Sequence, residues 1–127
     1  MKRVMIGFVL LAAGLLLTAC QSQVSQADTI QTYLQARVQS DVNQMVSLSC
    51  PEWEGQARIE ASTFQALKAQ LQDVSCAEAS ASGGVALVAC KGKIVTTYNG
   101  ESREWNLADH QFKLVQQDGE WRMCGYQ

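Results

Sequence analysis

Five cysteines and one histidine are the residues of this 127-residue chain with the widest chemical repertoire. Cys20, Cys50, Cys76, Cys90 and Cys124 could serve as redox thiols, metal ligands or disulfide partners, and their spacing discriminates among these uses. No C-x-x-C pair occurs, and His110 is the only imidazole, so neither a dithiol redox motif nor the ligand spacing of a structural zinc site is present. We expect no metal and no cofactor. Asp109, His110 and Tyr33 are candidates for acid–base chemistry. Asp109 and His110 are neighbours, and neighbouring side chains in a strand point to opposite faces, so they form no dyad without a bulge. No residue is assigned as catalytic. Tyr33, His110 and Trp53, the last between two glutamates in a loop-like stretch after Pro51, are the candidate ligand or partner contacts.

The rest of the sequence says where these residues reside. Lys2 and Arg3 precede an uninterrupted apolar run of 14 residues from Val4 to Leu17, the charge-then-apolar order of a secretory signal. The run is shorter than the roughly 20 residues of a membrane span. Leu17-Thr18-Ala19-Cys20 resembles the lipobox of bacterial lipoproteins, which implies cleavage before Cys20, a lipid on its sulfur and a membrane anchor. Residues 1–19 are then a signal peptide, and 20–27 a lipidated cysteine and polar tether. Residues 28–127 form one domain in the cell envelope, outside the cytoplasm. Loss of 1–19 leaves eight basic and twelve acidic side chains, a formal charge of −4 with no basic run, so nucleic acid is not an expected partner.

Helices are predicted first. Ile30, Tyr33, Leu34 and Val38 share one face of a helix opened by Asp28; Ser40-Asp41 caps a short second helix ended by Pro51. Ile59, Phe64, Leu67 and Leu71 predict a third helix over roughly 55–72, with Arg58, Glu60 and Lys68 in solvent. Strands follow: 74–81 and 85–98 around Ser82-Gly83-Gly84, then flanks of Asn99-Gly100 and of Asp118-Gly119, dipeptides suited to the positive φ of tight hairpin turns. The Asn99-Gly100 register places Lys93 by Asn106 and Arg103 opposite Thr96, with Trp105 and Trp121 packed in the strands. The fold class is therefore α+β: N-terminal helices packed on a bent antiparallel sheet of four to five strands.

With Cys20 committed to lipid, four cysteines remain in an oxidising compartment, with three possible pairings. A three-residue Ser82-Gly83-Gly84 loop places Ala81 against Val85, and counting outward brings Cys76 opposite Cys90. Cys50 is left for Cys124. Both are expected to be structural disulfides.

The capped first helix, the Ser-Asp opening of the second, and hairpins ending in Gly119-Glu120-Trp121-Arg122 resemble the nuclear transport factor 2-like (cystatin-like) superfamily. Ala89-Cys90-Lys91-Gly92-Lys93-Ile94 and Trp121-Arg122-Met123-Cys124-Gly125-Tyr126 look like a group of uncharacterised envelope lipoproteins within it. The resemblance implies a cone-shaped fold over about 28–126 but supplies no activity. The expected function is a membrane-anchored, non-catalytic domain that binds a small apolar ligand or an envelope protein. The alternative is a small cofactor-independent isomerase or dehydratase working in the cone interior.

Overall fold

The computed structural model describes residues 23–127. The segment expected to be a signal peptide, residues 1–19, and the expected lipidation site Cys20 lie outside the described residues. Three helices come first: α1 (Gln26–Val38), α2 (Val42–Ser47) and α3 (Glu54–Thr63). Five strands follow: β1 (Lys68–Ser82), β2 (Val85–Tyr98), β3 (Glu101–Asn106), β4 (Gln111–Gln117) and β5 (Glu120–Tyr126), with a 3-10 turn at Leu107–Asp109 before β4. The α+β class holds, and all strands join one antiparallel sheet. Its order is β1-β2-β4-β5, while β3 pairs with the second half of β2.

α1 starts earlier than the apolar stripe suggests. Ser25, not Asp28, is its N-cap, accepting from the Asp28 N–H at 3.1 Å, while Asp28 places its charge in the first turn where the helix dipole favours it. Gln23 is already tied to the domain, its side-chain amide donating to the Gly119 carbonyl. Asp41 caps α2 as expected, accepting from the Gln44 N–H at 3.0 Å.

The third helix is shorter than predicted. It stops at Thr63, where the Ser62 and Thr63 hydroxyls both donate back to the Ile59 carbonyl. Leu67 lies in the connection, and Leu71 is a strand residue opposite Ile94 in β1, which begins six residues before the expected start. The helical spacing of Phe64, Leu67 and Leu71 is a coincidence of a turn followed by period-2 alternation. The helix is also rotated from the expected face: Ile59 is 60% exposed, whereas Glu60 is buried among Ala57, Ala61 and Phe64.

Cys76 does face Cys90, by a different route. Gly83 and Gly84, both at positive φ, make a two-residue turn with Ser82 opposite Val85. A register shift between Glu78 and Ser80 then restores the count. A second irregularity lies between Gln72 and Ser75, opposite Gly92. Gly92 has φ +95°, and a Cβ there would stand 2.5 Å from the Asp73 carbonyl oxygen, so only glycine fits where the sheet bends. Asn99-Gly100 and Asp118-Gly119 have positive φ at both positions, and the β2–β3 pairing sets Lys93 by Asn106 and Thr96 by Arg103. Both disulfides are formed, Cys50–Cys124 and Cys76–Cys90.

The helices fill the concave side of the bend. Ile30 and Leu34 of α1, Met45 of α2, Val88 and Ile94 of β2, Leu114 of β4 and Met123 of β5 are buried in one core. Each such side chain contributes roughly 1.5–3 kcal/mol of burial. Trp105, expected to pack within the strands, is 50% exposed because all of β3 stands at the rim. Trp121 is half-buried against the core.

Candidate functional site

Tyr33 and Arg37 are four residues apart on α1 and therefore share a face. That face meets Glu60 of α3 and Tyr126, the last residue of β5. The Tyr33 hydroxyl donates to Glu60 Oε2 at 2.8 Å and the Tyr126 hydroxyl to Oε1 at 2.7 Å, so each carboxylate oxygen holds one phenol. Trp53 Nε1 donates to the Tyr33 oxygen at 3.1 Å, and Arg37 Nη1 to the Tyr126 oxygen at 3.3 Å. Arg37 Nε lies 3.9 Å from Glu60 Oε2 in a loose ion pair, and its guanidinium carbon sits 5.1 Å above the Phe64 ring. A buried glutamate is tolerated here because two hydroxyls and a guanidinium replace its water.

Burial above all, with the Glu60 charge second, raises the Tyr33 hydroxyl far beyond the ordinary tyrosine range. Burial raises Tyr126 likewise; Arg37 pulls it back, and the Glu60 charge and hydrogen bond push it up again. Both phenols therefore act as donors, not bases. A stability consequence follows. Above the ordinary value of 10.0 the unfolded chain sheds these protons while the native state keeps them. The unfolded state then binds fewer protons, so stability is full below about pH 10 and falls as pH rises beyond it. Urea midpoints should be flat up to about pH 9 and drop above it, with the tyrosinate absorbance of Tyr33 and Tyr126 appearing together with unfolding. Ionisation of both near pH 10 in an intact fold would contradict the network.

The cluster forms the floor of a cavity of about 230 Å³. Ile94, Leu107 and Phe112 wall it; Trp105, Asn106 and His110 stand at its rim, with Arg37, Glu60 and Tyr126 below. The His110 ring lies 6.1 Å from that of Tyr126, and Phe112 and Trp53 each meet Tyr126 edge-on at 5.4 Å. A second depression of about 470 Å³, between residues 65–68 and 97–100, is larger, but none of its lining residues is buried, so it is a surface trough. Of these two, the smaller cavity is the more recessed and is the one lined by a buried polar group, Glu60.

The three contact residues read from sequence thus gather around one region in different roles. His110 lines the cavity, whereas Tyr33 holds Glu60 from behind and Trp53 in turn holds Tyr33. Asp109 ends the 3-10 turn, is exposed and does not line the cavity. Glu60 and Arg37 are the functional residues that sequence reasoning missed. The signal was available: Ala57, Ala61 and Phe64 form a helical stripe, and Glu60 lies within it. Among the described residues, Cys50, Glu52 and Cys124 bring potential metal-ligand atoms within 4.8 Å, but both sulfurs are already joined in the disulfide.

Helices lodged in a bent sheet, with a pocket between them floored by polar groups, define a cone-shaped α+β domain. This is the nuclear transport factor 2-like, cystatin-like fold. A candidate dehydratase of that family from Streptomyces avermitilis aligns over 75% of this chain and 85% of its own, with a TM-score of 0.53 and 17% identity. A candidate polyketide cyclase from Pseudomonas putida aligns over 80% and 90%, at 0.53 and 13%. A protein with a cystatin-like fold from Novosphingobium aromaticivorans aligns over 76% and 73%, at 0.55 and 11%. No family model matches the sequence, and no curated protein matches it either. At these identities the likeness establishes the fold alone.

Proposed function

We propose that this protein is a lipid-anchored envelope protein whose domain binds a small molecule in the cavity between α1, α3 and the sheet. The carrying observation is the half-open cavity of about 230 Å³, with apolar walls over the Arg37–Glu60–Tyr126 floor. The anchor reading rests on Leu17-Thr18-Ala19-Cys20 after the apolar run. Cys20 lies three residues before Gln23, so the lipid would hold the domain within about 10 Å of the bilayer. Gln23 contacts the β4–β5 turn, whereas the cavity lies at the other end of α1, β4 and β5, about 20 Å away. The pocket is thereby held toward the aqueous phase.

An enzymatic reading has two observations in its favour: Glu60, Tyr126 and His110 border the same cavity, and two similar folds are named as a candidate dehydratase and a candidate polyketide cyclase. Against it, both Glu60 oxygens already accept hydroxyl protons, an arrangement that fixes a carboxylate rather than freeing it as a base. Native mass spectrometry of the protein extracted from its own envelope in mild detergent separates the readings. A stoichiometric passenger released unchanged supports a carrier; a passenger recovered as a dehydrated or isomerised pair supports the enzyme; an apo mass with two intact disulfides sends the search to protein partners. The anchor is tested separately. Cys20→Ala should leave the precursor uncut or move the protein out of the membrane fraction, and unchanged processing and fractionation would remove it.

A further inference from the structure

We infer that the cavity takes an uncharged guest with an apolar body and a hydrogen-bond-accepting oxygen, of the ketone, ester or lactone type, seated against Arg37 and Asn106. This deepens the binding reading above and rests on it.

The first observation is charge. Arg37 and Glu60 are the oppositely charged residues of the lining, and their side chains retain only 19% and 7% exposure. They already balance each other, so an anionic head would leave a net negative charge beside Glu60, and a cationic head would stand against Arg37. An unpaired charge in such a site is costly; a neutral guest avoids that penalty.

The second observation is a count of hydrogen-bonding groups. The single Tyr126 proton is given to Glu60, and its oxygen receives Arg37 Nη1. Arg37 carries five N–H donors and makes one hydrogen bond among the described residues. Its Nε is buried with no hydrogen-bond partner beside the loose ion pair, and Nη2 is uncommitted among the described residues, on a side chain that lines the cavity. Asn106 commits its side-chain oxygen to the Ala108 N–H at 3.1 Å, leaving its amide NH₂ as a further donor on the lining. The unused groups of two lining residues are thus donors, and donors select an acceptor.

The walls fix the remainder. Ile94, Leu107 and Phe112 offer apolar surface and Trp105 a flat, half-exposed face at the rim. The volume of about 230 Å³ is below the roughly 300–1,000 Å³ of pockets for drug-sized ligands, so the guest is small.

Three matched probes test this on the mature lipidated protein in nanodiscs, with protein-free nanodiscs as blank: acetophenone, its hydrocarbon isostere α-methylstyrene, and benzoate. Acetophenone should bind at least roughly tenfold tighter than either of the others, the lower range for a hydrogen bond to a charged donor. In Arg37→Met the preference over α-methylstyrene should shrink to about twofold or less. Because that variant leaves Glu60 without its cation, the wild-type Arg37 side-chain N–H resonances provide an independent readout; they should move with acetophenone and stay put with α-methylstyrene. Benzoate binding tightest, or equal affinity for ketone and hydrocarbon, overturns the head-group assignment while leaving the pocket in place. No binding of any probe overturns the pocket reading and this inference with it.

Discussion

Glu60→Ala is expected to lower the unfolding free energy by about 3 kcal/mol, the lower end for breaking a buried ion pair because Arg37 keeps some contact with solvent. The variant removes both acceptors of the Tyr33 and Tyr126 hydroxyls and deprives Arg37 of its counter-charge. Stranding a buried donor is costlier than a hydrogen bond's net worth of about 1 kcal/mol, because the group loses water without regaining a partner. Glu60→Gln should fall between wild type and alanine: its one side-chain oxygen can serve one phenol, but the guanidinium stays uncompensated. Tyr33→Phe, which frees one carboxylate oxygen and orphans the Trp53 N–H, should cost about 1–2 kcal/mol. Urea unfolding of the oxidised protein at neutral pH, with unchanged denaturant slope, reads all three. A loss under about 1 kcal/mol for Glu60→Ala would mean that water reaches the cluster, and the cavity would then lack the closed floor on which its chemistry rests.

Glu60 also shows what kind of information a sequence withholds. A glutamate between an isoleucine and an alanine still defaults to solvent, since charged residues are seldom fully buried unless paired. Its partners lie on α1 and β5, 27 and 66 positions away, so no local pattern advertises the pairing. Signals whose cause is local were legible. Asp41 caps α2, and Asn99-Gly100 and Asp118-Gly119 turn their hairpins, because each property is set by the residue's own backbone and nearest neighbours. The α3–β1 junction stands between these cases. Its apolar spacing fits either period, and the hydroxyls of Ser62 and Thr63 accompany the helix end that periodicity alone does not show. Cys76 and Cys90 were paired through two errors that cancel: the turn has one residue fewer than assumed, and the shift between Glu78 and Ser80 supplies it. Trp105 was misplaced because an aromatic in an alternating strand reads as core, whereas β3 overhangs the cavity rim.

The two disulfides should differ in their effects, and the second large expected result comes from that difference. Cys50 and Cys124 are 74 positions apart, Cys76 and Cys90 only 14. Loop-closure entropy then assigns about 4.5 kcal/mol to the first bridge and about 3 to the second. Position widens the gap. Cys50 ends a segment running beside β5: its N–H donates to the Met123 carbonyl at 2.9 Å, and the Met123 N–H donates to the Leu48 carbonyl at 2.7 Å. Three residues on, Trp53 starts α3 and holds Tyr33; two residues past Cys124, Tyr126 holds Glu60. The bridge therefore clamps helical and sheet halves where the cavity floor is assembled, while Cys76–Cys90 staples one hairpin whose outer end is exposed. The double variant Cys50→Ala/Cys124→Ala should unfold at a much lower urea concentration than Cys76→Ala/Cys90→Ala and, where still folded, should lose the cavity's guest. The hairpin variant should keep the guest at near wild-type affinity. Equal stability losses, or guest binding that survives the first variant and fails in the second, would show that the floor is held by packing of α1 and α3 on the sheet and not by the Cys50 clamp.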